Sequence, residues 1–183
     1  MSKIKFVVLD TETTGLNRGR RDEAVEISVI GSDGSTLFDS LIRPNRITRW
    51  DEAAAIHGIS AEMVRGAPAF GDIQDELERV LFGVPVYIYN APYDTKILRN
   101  CSWAAGIDPR WVRLLDTRDV MAPYAKFYGE WNDYHGSYRW QRLTAACAQQ
   151  GIDTSDTTAH RALSDCVMTL RLIEKMKSAE VSL

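Results

Sequence analysis

With 183 residues, 45% apolar and 26% charged, the chain has room for one hydrophobic core, and a single domain over 1–183 with a short tail at 178–183 is expected. No apolar run approaches the roughly 20 residues of a membrane-spanning helix. The opening MSKIKF lacks the basic, apolar and small-residue regions of a secretory signal, so a cytoplasmic protein without membrane contact is expected. A net charge of −3 argues against a broad basic face that coats duplex nucleic acid, but leaves room for local phosphate grip.

The first element in the chain is IKFVVLDTETTG, Ile4 to Gly15. On a strand, Phe6, Val8, Asp10 and Glu12 share one parity and project from one face. The Cα atoms of Asp10 and Glu12 then lie roughly 6.6 Å apart, within reach of one hard cation or two adjacent ones. Like charges at the end of a buried strand repel unless something positive sits between them, and a metal is the simplest remedy. The plainer alternative is a strand running out into a solvated polar turn. Two basic clusters, Arg18, Arg20 and Arg21 and then Arg43, Arg46 and Arg49, read as solvated loop residues or as phosphate contacts.

A second strand is predicted at Ala24 to Gly31 and a third at Ser35 to Ile42, joined by the hairpin signal Asp33-Gly34. An irregular arm follows, with short helices expected near Glu52 to Ile56 and from Ser60 to Arg65. Phe70 to Phe82 carries an apolar stripe of Ile73, Leu77, Val80 and Leu81, and Gly83 closes it. Val84 to Tyr89 reads as a buried strand, and Pro92 opens a helix at its first turn. There Asp94 shares a stripe with Ile97, Leu98 and Cys101, and an acid aligned with apolar residues calls for a partner. A strand at Val112 to Leu115 and a helix from Arg118 to Phe127 are predicted next. YGEWNDYHGSYRW reads as a surface loop, and Ser137 as the cap of a helix burying Trp140, Leu143 and Cys147 and stopping at Gly151. His135, within that loop, reads as structural or exposed. The last helix runs from Ala162 to Lys177. Cys101, Cys147 and Cys166 are scattered, odd in number and without zinc-like spacing, so buried free thiols are expected. A strand hairpin followed by alternating strands and helices describes an α/β mixed sheet covered by helices.

Three distant places therefore offer acids at element ends: Asp10 with Glu12, Asp94, and Asp165. Four carboxylates without cysteine or clustered histidine favour Mg²⁺ or Mn²⁺ over Zn²⁺. A two-ion site of this kind suits in-line displacement at phosphorus. His160, five residues before Asp165, is a candidate to take a proton from water, since histidine exchanges protons near neutral pH. On a regular helix that spacing is about 140° past a full turn, so His160 must precede the helix if both face one site. Each acid also has a structural alternative: Asp94 and Asp165 could complement helix N-termini.

DTETTG at Asp10–Gly15, NAPYD at Asn90–Asp94 and HRALSD at His160–Asp165 resemble the three motifs of the DEDDh 3′–5′ exonuclease family, the group of the bacterial polymerase proofreading subunit, exodeoxyribonuclease X and ribonuclease T. IHGIS at Ile56–Ser60 is similar to a segment of the proofreading-type members. The resemblance implies an RNase H-like mixed five-stranded sheet flanked by helices, and hydrolysis of single-stranded nucleic acid from its 3′ end to nucleoside 5′-monophosphates. It assigns Asp10, Glu12, Asp94 and Asp165 to two Mg²⁺ or Mn²⁺ ions, with His160 as general base. It places Thr13, Thr14, Gly15 and Leu16 around the terminal nucleotide, and His57, Gly58 and Ile59 near its base. Asn90 and Tyr93 would line the same cleft, with Tyr93 offering a ring for stacking. Tyr89 stands where many relatives carry histidine and Tyr93 where phenylalanine is common, which bears on substrate fit. DNA is favoured over RNA on the IHGIS segment alone. An exoribonuclease is the alternative, and a non-catalytic nucleic-acid-binding subunit a remote one. The sequence does not choose between a homodimer and a polymerase or repair partner; Trp103, Trp111 and Trp131 are candidates for such a surface.

Overall fold

A computed structural model describes residues 4–15, 21–158 and 160–179. Its sheet has five strands in the order β3-β2-β1-β4-β5: β1 (Val7–Thr13), β2 (Ala24–Gly31), β3 (Thr36–Leu41), β4 (Val86–Ile88) and β5 (Thr117–Asp119). The first three form an antiparallel meander, and β4 and β5 run parallel to β1 and to each other. Every residue of β2 is buried, as expected of a strand sandwiched between helical layers. The architecture is the α/β, RNase H-like mixed sheet expected from the sequence.

Among the described residues six α-helices accompany the sheet: α1 (Asp51–His57), α2 (Phe70–Leu81), α3 (Ala91–Ala104), α4 (Met121–Tyr128), α5 (Leu143–Gln149) and α6 (Ala162–Ser178). The alternation of β1 divides them. Val7 and Leu9 pack with Ile73 and Leu77 of α2 and Ile97 and Leu98 of α3. Phe6 and Val8 pack with Tyr124 of α4 and with Cys166, Leu170 and Ile173 of α6. One strand thus addresses two helical layers. A carboxylate at the end of β5 sets where two helices begin: Asp119 accepts the backbone N–H of Ala91 at 2.9 Å and that of Ala122 at 2.8 Å.

Several local expectations are corrected. Val112 to Leu115 is not a strand; Pro109–Leu114 forms a 3₁₀ helix, started by Pro109 and by the Asp108 carboxylate accepting from Arg110 N. The strand lies further on, at Thr117–Asp119, a polar edge whose composition carries no apolar signal. Residues 60–67 make successive i→i+3 turns rather than a helix, through Met63 N to Ser60 O, Arg65 N to Glu62 O and Ala67 N to Val64 O. The aromatic loop folds into a two-stranded hairpin, β6 (Trp131–Asn132) and β7 (Ser137–Tyr138), so Ser137 is in a strand and caps no helix. Trp140 is 70% exposed, while Trp111 is buried among α2 and α3 residues and cannot serve as partner surface. Trp103 and Trp131 are exposed, as is His135. The three cysteines are buried and free. No helix among the described residues is long and apolar enough to cross a membrane.

Candidate active site

Because β1 alternates, its polar end delivers side chains in two directions. Asp10 and Glu12, on the α6 face, meet Asp165 in the first turn of α6, and one carboxylate oxygen from each lies within 4.8 Å of the others. Thr11, on the opposite face, donates its hydroxyl to Asp94 Oδ1 at 2.7 Å. Asp94 is 4% exposed in the first turn of α3, where its N–H reaches Asn90 O. It stands outside the group formed by the other three acids but near enough for its charge to weigh on Asp10.

Burial and mutual repulsion make these acids reluctant to ionise together. Burial, reinforced by Asp94, Asp165 and Glu12, holds Asp10 well above the ordinary carboxylate range. Burial first, then Asp165 and Glu26, pushes Glu12 up to about 8. Burial lifts Asp94 to about 7 against the opposing hydrogen bond from Thr11. Burial lifts Asp165 to about 6, with His160 pulling the other way. Asp165 Oδ1 is buried without a hydrogen-bond partner among the described residues. A buried carboxylate oxygen left unpaired is costly, and so is a cluster of repelling acids. A divalent cation relieves both, and an all-oxygen donor set fits Mg²⁺ or Mn²⁺.

His160 precedes α6, as a shared site requires, and adopts the left-handed φ of +63° that side-chain-bearing residues rarely take. It lines a cleft of about 900 Å³ together with Glu12, Thr13, Thr14, His57 and Tyr93. Gly15 lies in that wall, and a Cβ there would stand 2.9 Å from Asp22 Oδ1, so a larger residue would push the Asp22 carboxylate aside. Tyr93 turns its hydroxyl into the wall: it donates to Gly15 O at 2.7 Å and lies 2.6 Å from Thr13 Oγ1. Tyr93 therefore braces the loop after β1. Its fellow departure, Tyr89, donates to Gln141 O at 2.8 Å, next to Arg142 on the cleft rim.

His57 is locked at both nitrogens. Its Nδ1 accepts from Ile59 N at 3.0 Å, so Nε2 carries the proton and donates to Thr13 O at 3.1 Å. Burial correspondingly lowers its pKa. The turn between them depends on Gly58, which closes α1 at a φ of +75°. Gly58 and Ile59 stay out of the cleft wall; Ile59 is fully buried beneath Trp50, whose indole donates to Ile59 O. Asn90 is the residue before α3 rather than part of the wall. Leu16, Arg18 and Arg20 lie outside the described residues. Of the remaining basic residues singled out, Arg49 lines the cleft, whereas Arg46 donates to Trp103 O and Arg43 to Ala67 O.

Sequence reasoning missed Glu26 and Arg161. The signals were an acid inside the apolar run AVEISVIG and a cation inside HRALSD. Glu26 lies opposite Glu12 in the β1–β2 register and receives Arg161 through both carboxylate oxygens.

An RNase H-like sheet with acids at the end of its central strand and at the starts of two flanking helices defines the class: a hydrolytic nuclease of the DEDDh type. The exonuclease (RNase_T) family model matches residues 7–173, and the chain belongs to that family of 3′–5′ exonucleases. It is 38% identical over 173 residues to the uncharacterized exonuclease CP81 of Escherichia phage 186, covering 93% of this chain and 87% of that one. It is 31% identical to the DNA polymerase III subunit epsilon of Rickettsia conorii, over 92% of this chain and 71% of that one. The fold superposes on E. coli exonuclease I in complex with a dA16 oligonucleotide with a TM-score of 0.74 at 18% identity. That match takes in 94% of this chain but only 40% of exonuclease I.

Proposed function

We propose that this enzyme removes nucleotides one at a time from the 3′ end of single-stranded DNA, releasing nucleoside 5′-monophosphates, with two divalent cations and His160 as general base. The observation that carries the reading is the meeting of Asp10, Glu12 and Asp165 within 4.8 Å, with Asp165 Oδ1 buried and unpartnered among the described residues. Asp10, Glu12, Asp94 and Asp165 would hold two Mg²⁺ or Mn²⁺ ions. When bound, such ions stabilise charge building on the phosphate oxygens and make water a better nucleophile.

The remaining work falls to the chain. An imidazole nitrogen of His160 accepts the proton of the attacking water, and its position outside the helix lets it face the same cleft as Glu12. His57 is unsuited to that task, because both of its nitrogens are engaged. It holds Thr13 in place instead. Thr13, Thr14 and Gly15, braced by Tyr93, seat the terminal nucleotide, and Arg49 and Arg142 at the cleft offer contacts to its phosphates. DNA is supported by the relative named as a DNA polymerase subunit and by the oligonucleotide held in exonuclease I.

The test is incubation of 5′-labelled single-stranded DNA and RNA of one sequence with Mn²⁺ or Mg²⁺. A ladder shortening from the 3′ end, faster on DNA, is the expected result, and Asp10→Ala should abolish it. Faster trimming of RNA would assign an exoribonuclease. Binding without turnover in saturating Mn²⁺ would assign a non-catalytic subunit.

A further inference from the structure

Helix α6 carries Asp165 in its first turn and begins two residues after His160, yet its start has no cap of its own, since the Arg161 side chain makes no capping hydrogen bond. The cap comes from across the sheet. Glu26 Oε2 accepts the N–H of Ala162, the first residue of the helix, at 2.9 Å. The same carboxylate takes Arg161 Nε at 3.1 Å on each oxygen and Arg161 Nη2 at 2.5 Å on Oε1. Glu26 is 3% exposed, so it is fixed in β2 directly opposite Glu12 of β1.

We propose that Glu26 is a positioning residue: acting through Arg161 and the Ala162 N–H, it holds the His160 backbone in the conformation that presents the imidazole to the cleft. This rests on the nuclease reading above. The physical reason is strain: a histidine at φ +63° reverts to an ordinary conformation unless the residues after it are over-determined. A bidentate guanidinium–carboxylate pair plus a helix-capping bond supplies that constraint. It also ties the acids of β1 to those of α6 through a neighbouring strand. Arg161 is partly exposed, so losing Glu26 leaves it able to find water.

The experiment is a double-mutant cycle under single-turnover conditions with Mn²⁺ and labelled DNA, using Glu26→Ala, His160→Ala and both together. Glu26→Ala is expected to slow the chemical step by about 10- to 100-fold with KM within about threefold, and to add nothing on top of His160→Ala. Glu26→Gln, which keeps one acceptor oxygen, should recover part of the rate. The His160 imidazole cross-peak of the metal-free protein should shift or broaden in Glu26→Ala while that of exposed His135 stays put. Losses that multiply with His160→Ala, an unaltered rate, or an unmoved His160 signal would each overturn the proposal. Should Glu26→Ala fail to fold, Glu26→Gln and Arg161→Lys carry the same cycle. A wild-type enzyme that releases no nucleotide would sink the nuclease reading instead, and the imidazole signal would then test the clamp by itself.

Discussion

The Thr11 hydroxyl donates to Asp94 Oδ1 across 2.7 Å, joining helix α3 to the strand that carries the first two acids. This bond opposes the burial that lifts Asp94 to about 7. Thr11→Val keeps the shape and removes the donor, leaving a buried carboxylate oxygen unpaired at a cost of about 1–3 kcal/mol. Asp94 should then ionise at higher pH. We expect the acidic limb of the pH–rate profile to move upward, seen in kcat measured from pH 5 to 9.

The raised acids fix how the metal-free protein responds to pH. Ordinary carboxylates titrate near 4, whereas Asp165, Asp94 and Glu12 are lifted to about 6, about 7 and about 8. Between those limits the folded state holds more protons than the unfolded one, so stability falls as pH rises. In chelator, the melting temperature should therefore drop from about pH 4 to about pH 8. Mn²⁺ competes with protons for the same oxygens, so its stabilisation should be largest near pH 8. A melting temperature in chelator that climbs over this range would contradict the site's electrostatics.

Asp165→Asn separates stability from catalysis. The amide removes a charge that presses on Asp10 and Glu12. The variant should melt higher than wild type in chelator at pH 8, while hydrolysis falls by about 10³-fold or more. Calorimetry and a nucleotide-release assay on the same preparation check both halves.

Tyr93→Phe deletes the hydroxyl that reaches Gly15 O and Thr13 Oγ1. The ring remains, so the loop after β1 loses one brace at about 1 kcal/mol. We expect a few-fold rise in KM for a short oligonucleotide with kcat little changed. A collapse of kcat would assign Tyr93 a part in the chemistry itself.

Periodicity carried much of the fold. Strand β2 and helices α2, α3 and α6 are long enough for their apolar spacing to be unmistakable, and the observed ends of β2, α2 and α6 and the start of α3 fall within a few residues of the expected ones. It failed where a local device outweighed composition. Pro109 and the Asp108 cap turned a strand-like apolar pair into a 3₁₀ helix, and the true edge strand, Thr117–Asp119, is polar. Nor did spacing reveal that the Tyr93 hydroxyl reaches two oxygens in the wall.

The amino-acid order alone singled out Asp10, Glu12, Asp94 and Asp165, through strand parity for the first pair, an apolar stripe around Asp94 and the resemblance of three motifs to one exonuclease family. It also required His160 to stand before its helix. Only the tertiary structure decided how these parts are held. It set Asp94 apart from the other three acids, bound to Thr11, closed both nitrogens of His57, and brought Glu26 to the foot of α6. Hydrogen bonds between residues 83 to 136 positions apart depend on how sheets and helices pack, and no local spacing encodes that.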